Sequence, residues 1–169
     1  MNSIHDDLSL TMPLSFKAHQ VATQFHQRQS NQQKAKQVYL NTLAVYAVND
    51  YLTNLGIATD LESSESWDTV MQSLADVADL TIPGQGKLEC RPVLPQAQVC
   101  HVPPEVWEDR LGYVPVQFDA ELRTATLLGY LPTVDTEAVP LSEVRSLNDL
   151  VDVLTPVAPM LSRQPVRLG

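Results

Sequence analysis

Residues 88–132 read LECRPVLPQAQVCHVPPEVWEDRLGYVPVQFDAELRTATLLGYLP. Alternating apolar residues, prolines and turn residues run through it, the pattern of short strands in a compact β-rich unit. Leu88, Cys90 and Leu94 alternate with Lys87, Glu89 and Arg91, which predicts one strand. A second is expected near Gln98 to Val102, after a turn centred on Pro95. Pro103-Pro104 halts the sheet and opens a one-turn helix to Asp109. Gly112 to Phe118 reads as a strand with Val114, Val116 and Phe118 on one face. Pro115 cannot donate to a ladder, so this strand is expected at an edge or beside a bulge. Thr124 to Leu131 is its expected antiparallel mate.

Upstream the period changes from two to 3.6. Pro13 and Ser15 open a helical pattern with Phe16, Ala18, Val21, Ala22 and Phe25 on one side. After a connection over 28–33, a long helix is expected from Lys34 to Leu55, apolar around most of its circumference and therefore central. Gly56 stands where a C-terminal cap belongs. A short helix near Ser66 to Ala75 carries Trp67, Val70, Met71 and Leu74 at core spacing. Ala78, Leu80 and Ile82 alternate as a strand, closed by the Pro83-Gly84-Gln85-Gly86 turn. Downstream, Ser146 caps a last helix that Pro156 ends. The resulting fold class is α+β: N-terminal helices packed on a small, mostly antiparallel sheet or partly closed barrel, with one C-terminal helix. Residues 1–12 are expected to be a flexible leader, 13–155 one domain and 156–169 a tail.

The chain has 169 residues, of which 44% are hydrophobic, enough for one domain with a core. Eleven basic residues against 20 acidic ones leave a net charge of −9, which disfavours nucleic acid and anionic membrane as partners. A soluble cytoplasmic protein is the expectation. The charge is uneven. Leu14 to Gln37 holds Lys17, Arg28, Lys34 and Lys36, two histidines and no carboxylate. Val38 to Leu80 holds seven carboxylates and no Lys or Arg. The two halves could match within the molecule, or the basic, Gln-rich arm could contact an acidic protein partner.

Chemistry-bearing constellations are sparse. Glu105, Glu108 and Asp109 would share one side of a helical turn, as a carboxylate-dependent hydrolase requires, but acids in a first turn also suit the helix dipole. Cys100 and His101 are adjacent on a strand and so point to opposite faces. His19 and His26 lie on one helical face without a third ligand, so no metal site is expected, and no cofactor motif is present. Glu89 and Arg91 share a strand face and are expected to pair. Cys90 and Cys100 would fall opposite each other in a hairpin about Pro95, where a disulfide is geometrically possible; in a reducing compartment they would be two buried thiols.

The segments KAKQVYLNTLAVYAVNDYL, DVADLTIPGQGKLECRPVLP, VPPEVWEDRLGYVPVQFD and ATLLGYLP resemble, in order and over about residues 13–155, a cyanobacterial family catalogued as domain of unknown function 1822. The resemblance implies a cyanobacterial cytoplasmic protein, with relatives that carry a further C-terminal region and are encoded near sigma-factor and signalling genes. It implies no catalytic residues. The function expected is a non-enzymatic interaction or regulatory module that binds a protein partner through Lys17, Arg28, Lys34 and Lys36, helped by an apolar edge near Val114 to Phe118. A small-ligand sensor is the alternative, and the carboxylate-dependent hydrolase a more distant one.

Overall fold

A computed structural model describes residues 9–155. The expected tail, and all of the expected leader up to residue 8, lie outside the described residues. Eleven elements follow in order: β1 (Leu10–Pro13), α1 (Phe16–Gln27), α2 (Gln32–Asn54), α3 (Thr69–Leu74), β2 (Asp79–Ile82), β3 (Gly86–Val93), β4 (Val99–His101), β5 (Gly112–Phe118), β6 (Thr124–Leu127), β7 (Ala138–Pro140) and α4 (Leu147–Leu154). Five strands form one open sheet in the order β1-β6-β5-β3-β2, and β4 pairs with β7 separately. The large sheet is antiparallel except for β3 beside β5. The fold is therefore α+β with a C-terminal helix, and the sheet does not close into a barrel.

Local chemistry places the helix ends. The Ser15 hydroxyl accepts from the Ala18 amide and starts α1. Asn31 does the same for α2 through Lys34, which moves that helix start two residues ahead of the expected Lys34. Gly56, at φ +80, stands just past its end. Ala44, Val45, Val48 and Leu52 of α2 are fully buried against Leu80, Leu88, Val114, Val116 and Leu127 of the sheet. Each large side chain so buried contributes about 1.5–3 kcal/mol. A second cluster, with Val93, Cys100, Val102, Tyr113 and Val139, covers the other side of the sheet. Along β2, β3 and β5 both faces are thus covered, and strand alternation there separates two buried sides rather than core from solvent.

Strand pairing and burial correct several expectations. Residues 10–12 belong to β1, the strand on β6, and not to a flexible leader. The hairpin about Pro95 does not form. β3 has β2 on one side and β5 on the other, so β4 must pair elsewhere and finds β7. Cys90 sits in the first cluster and Cys100 in the second, both as free buried thiols, which removes the geometry for a disulfide. Burial raises the Cys90 thiol well above its ordinary pKa and pushes Cys100 up to about 12. Both should resist a thiol reagent until denaturant is added, which a time course of labelling checks.

Pro115 lies in the middle of a central strand, not at an edge. The other half of the expectation holds: three steps on β5, from Tyr113 to Val116, face four on its mate, from Leu127 to Leu131. The extra residue makes a bulge where Pro115 has no N–H to give, while its carbonyl still accepts from the Leu128 amide. The expected turn of helix to Asp109 is only a 3₁₀ turn, Pro104–Val106. Phe16 is 82% exposed, and Val70 and Leu74 are 64% and 75% exposed, so these three do not join the core.

Candidate functional site

The polar side of β3 carries the least expected feature. Glu89 and Arg91 do pair, at 3.1 Å, but they do so in the interior, at 0% and 3% exposure. Their register explains the depth: Glu89 stands opposite Asp79 of β2 and Tyr113 of β5. Two buried carboxylates face to face need cations and donors. Glu89 accepts from Arg110 Nε at 2.8 Å and from the Ala78 amide at 2.7 Å. Asp79 accepts from the amides of Ser66 and Glu65, with Lys87 Nζ 3.9 Å away. Arg91 donates onward to the Asp76 carboxylate at 2.8 Å, to the Asp76 carbonyl and to the His101 carbonyl.

Asp76 in turn accepts from Asn41 of α2 at 2.9 Å. Burial works to raise its pKa, but the Arg91 guanidinium, Asn41 and Lys34 together hold it below the ordinary carboxylate range. The same opposition acts on Glu89, where burial outweighs the two arginines and pushes the carboxyl up. The chain Arg110–Glu89–Arg91–Asp76–Asn41 therefore ties the approach to β5, the middle of β3, the segment before β2 and α2 into one unit. Asp76, Arg110 and Asn41 carried no signal in the sequence. Their partners are 15 to 35 residues away and are brought in by the parallel crossover and by helix docking.

The expected basic arm does not form one surface. Lys17 lines a hollow with Asp60 and Glu62. Arg28 lies 5.3 Å over the Phe25 ring and donates to Thr69. Lys34 is held by Gln37 and the Ala75 carbonyl, and desolvation lowers its pKa. Only Lys36 stands exposed between two hollows, and among the described residues it has no hydrogen bond or ion pair. One hollow, about 390 Å³, lies towards β3 and β4 and is lined by Arg91, Pro92 and His101 beside Leu40. The other, about 600 Å³, lies towards α1 and is lined by His26, Tyr39 and Leu122, again with Leu40. Neither is lined by any Asp or Glu.

The remaining candidates are dispersed. Glu105 accepts from the Asp76 amide at 2.9 Å, whereas Glu108 and Asp109 are exposed beyond the 3₁₀ turn, Asp109 at φ +60. The three carboxylates therefore share no helical face. His19 is bound to the Tyr39 hydroxyl at 2.7 Å and to the Leu122 carbonyl at 2.9 Å, and His26 packs edge-on against Tyr39. Among the described residues no group of three metal-ligating side chains gathers, and no helix is long and apolar enough to cross a membrane. A family model described as "Protein of unknown function (DUF1822)" matches residues 12–167. No curated protein and no solved structure matches the chain.

Proposed function

The chain belongs to the DUF1822 family, whose function is unknown, and we propose that it is a non-enzymatic interaction module that binds a protein partner across the exposed face of α2 at Lys36. The observation that carries this reading is the pair of hollows meeting at Lys36 and Leu40. In a protein of net charge −9 they hold an uncommitted cation, apolar walls and no carboxylate. Apolar anchors ringed by a free charge suit a protein surface of opposite sign. The buried ion chain beneath has a supporting role: Asn41 and Arg91 belong to it and also line the first hollow. The other expected binding surface, Val114 to Phe118, is interior and offers no edge.

Removing the N-terminal arm cannot test this, because β1 completes the sheet and Ala18 and Ala22 of α1 are in the core. A point substitution can. Lys36→Glu should leave the melting temperature within about a degree, since Lys36 is exposed and unpaired. It should cut recovery of a specific partner from a lysate of the source organism by roughly tenfold or more, because it puts like charges together at a contact. Equal recovery by both proteins would move the partner surface elsewhere.

A further inference from the structure

We infer that this face takes an internal segment of its partner carrying one side-chain carboxylate set between apolar side chains, an inference that rests on the interaction reading above. The charge balance limits the anion. Arg91 lines the hollow, but Glu89 and Asp76 both contact its guanidinium, and its bonds to them and to His101 take four of its five N–H groups. The one permanent cation left uncompensated for a ligand is therefore the ammonium of Lys36. One ammonium matches one carboxylate. A phosphate, with nearly two charges, would meet one permanent cation where it needs two or more.

The walls limit the rest of the segment. Lys36 and Leu40 line both hollows, one on each flank of α2. A bound chain therefore has room on either side of the ammonium, which an internal segment uses and a chain terminus does not. Pro92 and Leu40 make one side apolar, and Tyr39, Leu40 and Leu122 the other. Tyr39 and Leu40 lie one helical turn from Lys36, about 5–6 Å along the surface. An extended peptide advances about 3.3 Å per residue, so its apolar side chains fall within about two residues of the carboxylate.

The test is fluorescence anisotropy with amidated nonapeptides that carry a central glutamate, a leucine two residues to either side and serine elsewhere. Replacing the glutamate by glutamine should weaken binding about fivefold, the scale of an ion pair at a rim. Phosphoserine at the centre should bind no tighter than glutamate, and moving both leucines to the ends should weaken binding. Lys36→Gln should erase the preference for glutamate. Equal binding of glutamate and glutamine, tighter binding of phosphoserine, or a preference that survives Lys36→Gln would overturn the inference. So would no binding by any of the peptides, and in that case Lys36-dependent capture would still support the interaction reading. Capture indifferent to Lys36 would instead bring down that reading.

Discussion

Arg91→Ala is expected to lower the free energy of unfolding by about 3–5 kcal/mol, the usual effect of removing one partner from a buried ion pair. Arg91 is 3% exposed and lies between Glu89 and Asp76. Without it Glu89 keeps Arg110 and the Ala78 amide, but Asp76 loses its main cation and the His101 carbonyl loses its donor. Such a loss is a large share of the roughly 5–15 kcal/mol that holds a domain together. Arg91→Lys should rescue little, because one ammonium cannot span acceptors on three segments. Replacing Glu89 by Gln and Arg91 by Met together should cost less than the two single changes summed.

The share of the pH dependence that Asp76 carries has a definite sign, opposite to that of Glu89, whose carboxyl is pushed up. The folded pKa of Asp76 is depressed, so the stability it contributes is present above the unfolded value of about 3.9 and is lost as pH falls through the folded one. In Arg91→Ala the folded pKa moves up towards the unfolded one, so that acid loss should shrink. Urea titrations at neutral and acidic pH measure both effects. A loss below about 1 kcal/mol at neutral pH would mean that the ion chain is not what joins these segments.

Gly129→Ala should be nearly as damaging, at about 2–5 kcal/mol. Gly129 has φ +150, where a side chain is strained. A β-carbon there would run into the Arg145 carbonyl oxygen and press on Val144. That carbonyl accepts from the Tyr130 amide at 2.8 Å, and the Arg145 amide returns a bond to Tyr130. The obstacle is thus backbone held at both ends, just ahead of α4, and it cannot swing aside as a side chain can. Gly84→Ala is the control: φ is +77 there, but the space is open, so only backbone strain of about 1–2 kcal/mol applies. Thermal melts of the two variants should differ by several degrees. Equal losses would contradict the close docking of residues 144–145 on the bulged strand.

Most elements were legible in the sequence, and their faces were less so. The caps at Ser15 and Ser146, the Pro-Gly-Gln-Gly turn and the central character of α2 follow from local chemistry, and each stands as expected. Glu89 and Arg91 were readable as a pair because they sit two apart on one strand. Their burial was not, because alternation is the same whether the second face meets water or another layer. The partner of β4 was hidden for a similar reason. Nearest-neighbour pairing predicts a hairpin, yet the parallel β3–β5 contact takes the edge that β4 would have used. Val70 and Leu74 show the limit of periodicity: helical spacing says which side chains share a face, not whether anything covers it. At the candidate site Lys36 was among the basic residues singled out. Its separation from Lys17, Arg28 and Lys34 depends on what each meets after folding: Asp60 and Glu62 line the hollow at Lys17, Phe25 and Thr69 take Arg28, and Gln37 and the Ala75 carbonyl hold Lys34.

The most direct test of the account is site-specific photo-crosslinking in a lysate of the source organism. A benzophenone amino acid is placed at Gln33, which lines the hollow beside Lys36, and separately at the exposed Val153 on α4. One discrete protein adduct is expected from position 33, lost when Lys36→Glu is added, and no such adduct from position 153. The same adduct from position 153, or one at position 33 that survives Lys36→Glu, would contradict it.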